Sequence, residues 1–183
     1  MLFALCLSAA CASEPEPTDP MADDPDALVS MTDKMYSATI TQNQFNNVLS
    51  DRLAWLRMKH PDGRPVFKTV SINARAVTAE AFDYNADEGA TIPMNFDMVS
   101  DGTPERRYLV LRSDLRFMGV PVLRSGKLTL TITRGTSRIV VAINASPTLA
   151  ARVLGGNRIQ EVTADLRDVF GTWMQTEGPK AAK

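Results

Sequence analysis

Few side chains in this 183-residue sequence could perform covalent, acid–base or metal chemistry. Both cysteines, Cys6 and Cys11, lie within the first eleven residues. The rest of the chain therefore has no thiol for a disulfide framework, a zinc or iron–sulfur site, or a cysteine nucleophile. The one histidine, His60, precedes a proline in a predicted turn, and no third group that would orient it as a base can be identified. We expect His60 to have a surface or capping role.

Pairs of carboxylates could perform the general acid and base steps of glycoside hydrolysis. Asp97 and Asp114 lie on the outward faces of predicted strands, and Asp87 and Glu88 lie in a predicted turn. The polar face of a strand produces such residues routinely, and Gly155-Gly156 lacks the Lys-Ser/Thr of a phosphate-binding loop. We therefore predict no catalytic residue, no metal, no cofactor and no enzymatic activity.

The first twelve residues predict export. The apolar run Met1 to Ala10 ends in small residues, as a secretory signal peptide does, although no basic residue precedes it. Ser8-Ala9-Ala10-Cys11 resembles the lipobox of bacterial lipoproteins, in which Cys11 would be lipidated, but Ser8 stands where that motif usually has leucine. Two alternatives stay open, namely cleavage before Ser13 at the A-x-A site Ala10-Cys11-Ala12, and a cytosolic chain with an apolar start.

We interpret residues 1–12 as a signal peptide with a lipobox. The sequence then predicts a lipoprotein of the bacterial cell envelope that faces the periplasm and is anchored in a membrane through Cys11. Ala12 follows Cys11 in place of the aspartate that retains enteric lipoproteins in the inner membrane, which favours the outer membrane. Nucleic acid is not expected as a partner of an exported chain.

An acidic, proline-rich tether is predicted over residues 13–35. Ser13 to Asp26 holds four prolines and six carboxylates with no basic residue, so it cannot bury enough apolar surface to fold, and its like charges keep it extended. From residue 27 onward the chain has twenty basic and fifteen acidic residues and is mildly basic. We assign residues 36–178 to a single domain and residues 179–183 to a tail.

Amphipathic helices are predicted at both ends of this domain. Thr41 to Gln44 has the form of a capping box, and apolar residues recur at helical spacing from Phe45 until the helix ends before His60-Pro61. Near the C-terminus, Ser146-Pro147 predicts a helix start and Gly155-Gly156 an interruption. A second, longer helix then ends at Gly178-Pro179, and its apolar stripe consists of Ile159, Val162, Leu166, Val169, Phe170, Trp173 and Met174.

Between the helices, apolar and polar residues alternate with the period of a strand. The inward positions are Val70, Ile72, Ala74, Ala76, Phe82, Tyr84, Ile92, Met94, Phe96, Met98, Leu109, Leu111, Leu115, Phe117, Leu128, Leu130, Ile132, Ile139, Val141 and Ile143. Thr78 and Glu80 interrupt the first set and indicate a break near them, and Pro93 predicts an edge strand. The chain therefore predicts an α+β fold, with a curved antiparallel sheet of about five or six strands packed against an N-terminal and a C-terminal amphipathic helix.

A basic stretch crosses the strands. Asp114 is the only acid between Arg106 and Arg138, among eight basic residues, and Arg112 and Arg116 are predicted to share one strand face. Such a face could bind an anionic headgroup or an acidic protein, or it could simply be solvated.

The sequence also resembles the YceB-like bacterial lipoproteins. The similar parts are Thr41 to Asn46, the segment Leu115 to Leu130 with Phe117 to Val122 before Ser125 to Leu128, and Phe170-Gly171-Thr172-Trp173, and the likeness covers most of residues 37–176. It implies a small sheet wrapped against helices, akin to tubular lipid-binding domains, with an apolar groove and no known catalytic residues.

From these observations we predict a non-catalytic envelope lipoprotein that binds a lipid or another apolar molecule between its sheet and its helices. The alternative is an assembly or scaffolding lipoprotein that binds another envelope protein through its basic strand face. Arg112 and Arg116 are the candidates for contact with an anionic headgroup. The predicted pocket residues are Phe45, Leu49, Met94, Phe96, Met98, Leu111, Phe117, Val169 and Trp173.

Overall fold

The computed structural model of this chain describes residues 30–84, 88–117 and 120–182. The predicted signal peptide with Cys11 and residues 13–29 of the predicted tether lie outside the described residues. The described elements are β1 (Ser30–Ser37), α1 (Gln42–Ser50), α2 (Arg52–Leu56), β2 (Phe67–Asn73), β3 (Ala76–Phe82), β4 (Thr91–Val99), β5 (Arg106–Leu111), β6 (Leu115–Phe117), β7 (Val120–Arg134), β8 (Arg138–Pro147), α3 (Leu149–Glu177) and a 3-10 helix (Gly178–Lys180).

The strands form one antiparallel sheet, which confirms the α+β class. Its order is β1-β8-β7-β5-β4-β3-β2, with β6 paired to β7, so the described part of the chain has eight strands and not five or six. The additional strand at the start, β1, pairs with β8 along its whole length. Because β1 begins at Ser30, residues 30–35 of the segment predicted as a tether belong to the sheet.

Alternation identified the inner face of most strands correctly. Leu109 and Leu111 of β5 are buried, as are the inward residues predicted for β7 and β8. The prediction was wrong for β3, whose buried residues are the odd positions Val77 and Ala79. The cause is a two-residue turn after Asn73, in which Ala74 has a φ of 52°, and the break therefore precedes the position that Thr78 and Glu80 indicated.

Two further strand predictions were wrong. β4 is not an edge strand, because it lies between β3 and β5. Pro93 is accommodated since β5 pairs with β4 only from Phe96 to Val99, beyond the proline. Arg112 and Arg116 do not share a strand, because β5 ends at Leu111 and a separate short strand, β6, carries Arg116.

The N-terminal helix forms with the predicted capping box. Thr41 Oγ1 accepts a hydrogen bond from the Gln44 backbone N–H at 3.2 Å, and Gln44 Oε1 accepts one from the Thr41 N–H at 2.9 Å. It is not a single helix, however. Asp51 has an extended backbone, and its carboxylate accepts a hydrogen bond from the Leu53 N–H at 2.8 Å, which starts α2 as a separate element.

The C-terminal helix is continuous, so the predicted interruption at Gly155-Gly156 was wrong. A 29-residue helix, about 43 Å long, tolerates two glycines that each cost about 1 kcal/mol relative to alanine. Its N-cap is Thr148, whose hydroxyl accepts a hydrogen bond from the Ala151 N–H at 3.3 Å. Ser146-Pro147, the predicted start, is the end of β8. In the described part of the chain, no helix combines the length and the apolar composition needed to cross a membrane.

Candidate functional site

The candidate site is the inner face of the sheet together with α3, which lies across it. Among the predicted pocket residues of this face, Met94, Phe96 and Leu111 are buried and Met98 is half-buried. Phe96 pairs with Leu111 across β4 and β5, so these side chains form one apolar row. The Phe117 side chain lies outside what the structure describes.

The C-terminal half of α3 closes against the two short helices through an aromatic cluster. The ring centroid of Trp55 lies 5.9 Å from that of Phe67, 5.7 Å from that of Phe170 and 5.3 Å from that of Trp173. Phe170 and Trp173 are also in edge-to-face contact at 5.8 Å. All four side chains are buried, so this end of the interior is filled by its own rings.

Four of the predicted pocket residues lie in this filled end. Phe45 and Leu49 of α1 and Val169 and Trp173 of α3 are each at most 3% exposed. The indole N–H of Trp173 donates to the Ala54 carbonyl at 2.8 Å, which ties α3 to α2. These residues pack against neighbouring elements of the protein itself, so a guest would have to lie further along α3.

One apolar flank of α3 is uncovered near the middle of the helix. Val162 lies on the same flank of the helix as Val169 and Trp173, seven and eleven residues later in the chain. Val169 is 1% exposed and Val162 is 60% exposed, with the half-buried Leu166 between them. Thr163, the next residue, is 3% exposed and Ala151 near the helix start is 5% exposed, so α3 stays on the sheet and only its Val162 flank is uncovered. The sequence pattern placed Val162 in the buried stripe, and the structure does not.

This flank of α3 faces the half of the sheet that contains β2, β3 and β4. Trp173 on the flank contacts α2, and α2 packs on β2. In that half of the sheet the inner-face residues Ala81 and Ile92, which pair across β3 and β4, are only half-buried. We call the exposed Val162 flank and these half-buried sheet residues, taken together, the apolar opening.

A charged cluster fixes the opposite flank of α3 to the edge strand β1. The Tyr36 hydroxyl donates to Asp168 Oδ1 at 2.6 Å, Lys34 Nζ donates to Oδ2 of the same carboxylate at 3.1 Å, and Arg167 pairs with it at 2.9 Å. Arg167 also donates to the Thr32 hydroxyl. Sequence reasoning missed this cluster, because β1 gave no strand signal: of its residues whose burial is described, 32–37, Tyr36 alone is buried.

The environment of the cluster changes its ionisation. Burial and the hydrogen bond to Asp168 raise the pKa of Tyr36 to about 12. Burial alone would raise the pKa of Asp168, but the hydrogen bonds from Tyr36, Arg167 and Lys34 outweigh it and lower the pKa. The cluster therefore holds a carboxylate between cations with the phenol protonated, an arrangement that positions α3 and supplies no base near neutral pH.

A second polar clamp holds the C-terminus of α3. Glu177 is 5% exposed and accepts hydrogen bonds from Arg57 Nε at 2.6 Å and Lys180 Nζ at 2.9 Å. Gln44 Nε2 donates to the carbonyls of Pro179 and Ala181. The described residues of the predicted tail are thus bound to α1.

The basic residues divide into two groups at opposite ends of the strands. At one end, Arg106 pairs with Asp101 at 3.4 Å and Arg134 with Glu105 at 3.8 Å. Arg112 pairs with Asp97 at 3.4 Å, on the face of the sheet that is turned away from α3. A headgroup at the apolar opening would therefore be out of reach of Arg112.

Arg116 belongs to the group at the other end, near the start of α3. It is exposed, and its partner in the β6–β7 register is Pro121, whose carbonyl accepts a hydrogen bond from the Thr148 hydroxyl at 2.7 Å. A shallow surface depression lies beside it, lined by Arg124, Lys127, Ser146, Pro147 and Thr148. It encloses no volume, whereas a drug-sized molecule needs roughly 300–1,000 Å³.

The other residues considered for catalysis make contacts with neighbouring side chains and backbone groups of the fold. His60 packs edge-on against Tyr84 with ring centroids 5.8 Å apart, and burial, aided by the nearby Arg64, lowers its pKa. Asp114 Oδ1 accepts a hydrogen bond from the Ser125 N–H at 3.0 Å, and Asp97 is paired with Arg112. Within the described ranges, no group of three or more metal-ligating side chains is assembled.

Comparisons with known proteins show the fold alone. No family model and no curated protein matches this sequence. A di-domain ARO/CYC protein, StfQ, from the steffimycin biosynthetic pathway has a TM-score of 0.57 at 9% identity, over 85% of this chain and 52% of that one. A conserved protein from Geobacillus kaustophilus has a TM-score of 0.53 at 12% identity, over 82% of this chain and 94% of that one.

A third similar structure is an uncharacterised protein from Rhizobium leguminosarum, with a TM-score of 0.53 at 10% identity, over 81% of this chain and 95% of that one. The similarity covers most of this chain and concerns its fold, a helix-grip arrangement in which a long C-terminal helix lies on a curved antiparallel sheet. None of these three proteins is described as a YceB-like lipoprotein, so that resemblance stays a prediction.

Proposed function

We propose that this protein is a non-catalytic binding protein that holds a lipid or another apolar molecule at the apolar opening. The observation that carries the proposal is the 60% exposure of Val162. The same flank of the helix is fully buried two turns later, at Val169. A guest at this position would remove from water an apolar flank of α3 and the half-buried sheet residues beneath it. The helix-grip fold supports the position of this site. It does not identify the ligand, because one fold carries many functions.

The guest that fits best is a single acyl chain or a molecule of similar shape. The sheet side of the opening includes the flexible Met94, two residues from Ile92 on the same face of β4, and methionine adapts to irregular apolar surfaces. Burial contributes about 0.8 kcal/mol per methylene, so about ten methylenes contribute the roughly 8 kcal/mol of a micromolar complex. A longer chain offsets the cost of immobilising the guest.

The proposal includes the cellular location. A lipid-binding domain that follows a lipobox-like Cys11 and an acidic segment fits a lipoprotein of the bacterial envelope whose domain faces the periplasm. The mass of the mature N-terminus tests this part. Acylated Cys11 as the first residue supports it, and an unprocessed Met1 refutes it.

Binding at the apolar opening is tested by substituting one exposed valine and, as a control, one leucine of similar exposure elsewhere. Val162 on α3 is 60% exposed and Leu53 on α2 is 58% exposed, so Val162→Glu and Leu53→Glu should both fold with little change in stability. The probe is cis-parinaric acid, a fluorescent fatty acid, titrated into each protein. We expect Val162→Glu to weaken binding at least tenfold and Leu53→Glu to leave it unchanged, because only Val162 borders the opening.

Two results would contradict the proposal. One is a wild-type protein that does not bind the fatty acid at micromolar concentration. The other is an equal affinity of the wild type and Val162→Glu, which would place the bound fatty acid somewhere other than the opening.

A further inference from the structure

A polar side chain with unsatisfied hydrogen-bonding groups borders the apolar opening. His60, the only histidine of the sequence, lies in the loop between α2 and β2 and is half-buried. Its ring packs edge-on against Tyr84, with 5.8 Å between the ring centroids. Within the described part of the chain, neither ring nitrogen of His60 has a hydrogen-bond partner. A half-buried imidazole in this state can hydrogen-bond a ligand.

On the sheet side, a backbone hydrogen bond attaches the His60 loop to the end of β3. The Phe82 N–H donates to the carbonyl of Val66, the last residue of the loop, at 2.9 Å. Tyr84, against which His60 packs, lies two residues further along the chain. Ala81, the half-buried β3 residue of the apolar opening, directly precedes Phe82. The loop therefore holds His60 at the end of the sheet that contains the opening.

The α3 side of the opening also lies close to His60. Burial lowers the pKa of His60, Asp62 and Asp165 oppose this effect, and Arg64 adds to it. Asp62 and Arg64 belong to the same loop as His60, whereas Asp165 belongs to α3 and follows the exposed Val162 by three residues, about one helical turn. His60 therefore lies between the Val162 flank and the end of β3, within reach of the polar end of a guest whose chain covers both.

We propose that His60 hydrogen-bonds the head of the guest and that the guest is a long-chain carboxylic acid, whose carboxylate accepts from the imidazole. This inference rests on the proposed function, because it requires an acyl chain at the apolar opening. The other charged groups that act on His60 are Asp165 and Arg64, which pairs with Asp62 at 2.6 Å. A doubly charged phosphate would find no unpaired cation among these groups, whereas a carboxylate needs only one donor.

The test compares cis-parinaric acid with its methyl ester, which has the same acyl chain and no ionised head. Both are titrated into the full-length wild type and into His60→Phe, which keeps an aromatic ring against Tyr84 and removes the ring nitrogens. A hydrogen bond to a charged group contributes roughly a factor of ten to affinity. We therefore expect the ratio of acid affinity to ester affinity to fall about tenfold in His60→Phe, with ester binding retained.

A matched control removes the neighbouring cation instead. Arg64→Gln should leave the ratio of the two affinities within about twofold of the wild type, because Arg64 is already paired with Asp62. The ester affinity of each variant reports whether the protein is folded and its opening intact. A changed ratio at an unchanged ester affinity therefore reports on the head of the guest alone.

The pH dependence of binding is a second readout. A bound carboxylate favours the protonated imidazole, so the wild type should bind the acid more tightly as the pH falls from about 7.5 to about 5.5. Protonation of the fatty acid itself changes the affinity of the wild type and of His60→Phe equally. The additional gain of the wild type over His60→Phe is therefore the contribution of His60.

Two results would overturn the role of His60 while the proposed function stands. One is binding of both ligands with the same affinity ratio and the same pH dependence in the wild type and His60→Phe. The other is an equal fall of the ratio in Arg64→Gln, which would assign the preference to the charge of the loop. A wild type that binds neither ligand would refute the proposed function itself, and the role of His60 with it.

Discussion

The contact between α3 and β1 predicts that Gly171→Ala destabilises the protein, although replacing glycine by alanine inside a helix is normally stabilising. A Cβ atom added at Gly171 would lie 2.2 Å from two atoms of the Tyr36 ring. The ring is buried, and its hydroxyl donates to Asp168 at 2.6 Å, so it cannot move away without breaking that hydrogen bond. Glycine at this helical position is therefore required by the close approach of the tyrosine.

The expected change in stability of Gly171→Ala is the difference between two opposing effects. Replacing glycine by alanine inside a helix stabilises it by about 1 kcal/mol, and forcing a methyl group into a packed site costs about 3 kcal/mol at the upper end of the usual range. We expect Gly171→Ala to lower the free energy of unfolding by about 2 kcal/mol and the melting temperature by about 4–8 °C. In a Tyr36→Ala background the ring is gone, and Gly171→Ala should stabilise the protein by about 1 kcal/mol.

The assay is urea unfolding of the four proteins, followed by tryptophan fluorescence, since Trp55 and Trp173 are both buried. The double-mutant cycle should give a coupling of about 3 kcal/mol between the two positions. The reasoning is refuted if Gly171→Ala is neutral or stabilising in the wild type. It is equally refuted if the substitution destabilises both backgrounds by the same amount, because the Tyr36 ring would then not be the cause.

Three other predictions concern stability. Because the Tyr36 pKa is raised to about 12, the protonated phenol stabilises the fold fully below pH 10. As the pH rises towards 12, the wild type should lose up to about 3 kcal/mol that Tyr36→Phe does not lose, measured as urea midpoints across this range. Burial would raise the Glu177 pKa, but the hydrogen bonds from Lys180 and Arg57 lower it. The ionised Glu177 therefore stabilises the fold above the ordinary pKa of a glutamate, and this stabilisation should be lost as the pH falls below that value. Thermal melts should show a shallower acid dependence for Glu177→Gln. Thr148→Ala removes the cap of α3 and should cost about 1–2 kcal/mol in urea unfolding, and no loss would mean that α3 is capped by another group.

The helices and strands that could be predicted are those with one apolar face and one polar face. The capping box at Thr41 and the inward residues of β5, β7 and β8 follow from local pattern alone. β1 could not be predicted in this way. Thr32 and Lys34 face α3 and are polar, and their partners, Arg167 and Asp168, are more than 130 residues away.

The sequence predicted that Val169 and Trp173 of α3 face inward, and it did not predict that Val162 on the same flank is exposed. Spacing identifies Val162, Val169 and Trp173 as one flank of a helix, but it carries no information on how far that flank lies from the sheet. The distance depends on the angle at which α3 crosses the strands. That angle is set by the aromatic cluster at one end and by Thr148 at the other.

Native mass spectrometry of the protein purified from bacterial cells can detect a bound guest without an added probe. We expect the wild type to carry additional mass in the range of one lipid or fatty acid, which denaturation releases, and Val162→Glu to carry much less of it than Leu53→Glu. A wild type with the bare protein mass, which also fails to take up added fatty acid, would contradict the claim that this helix and sheet enclose a guest.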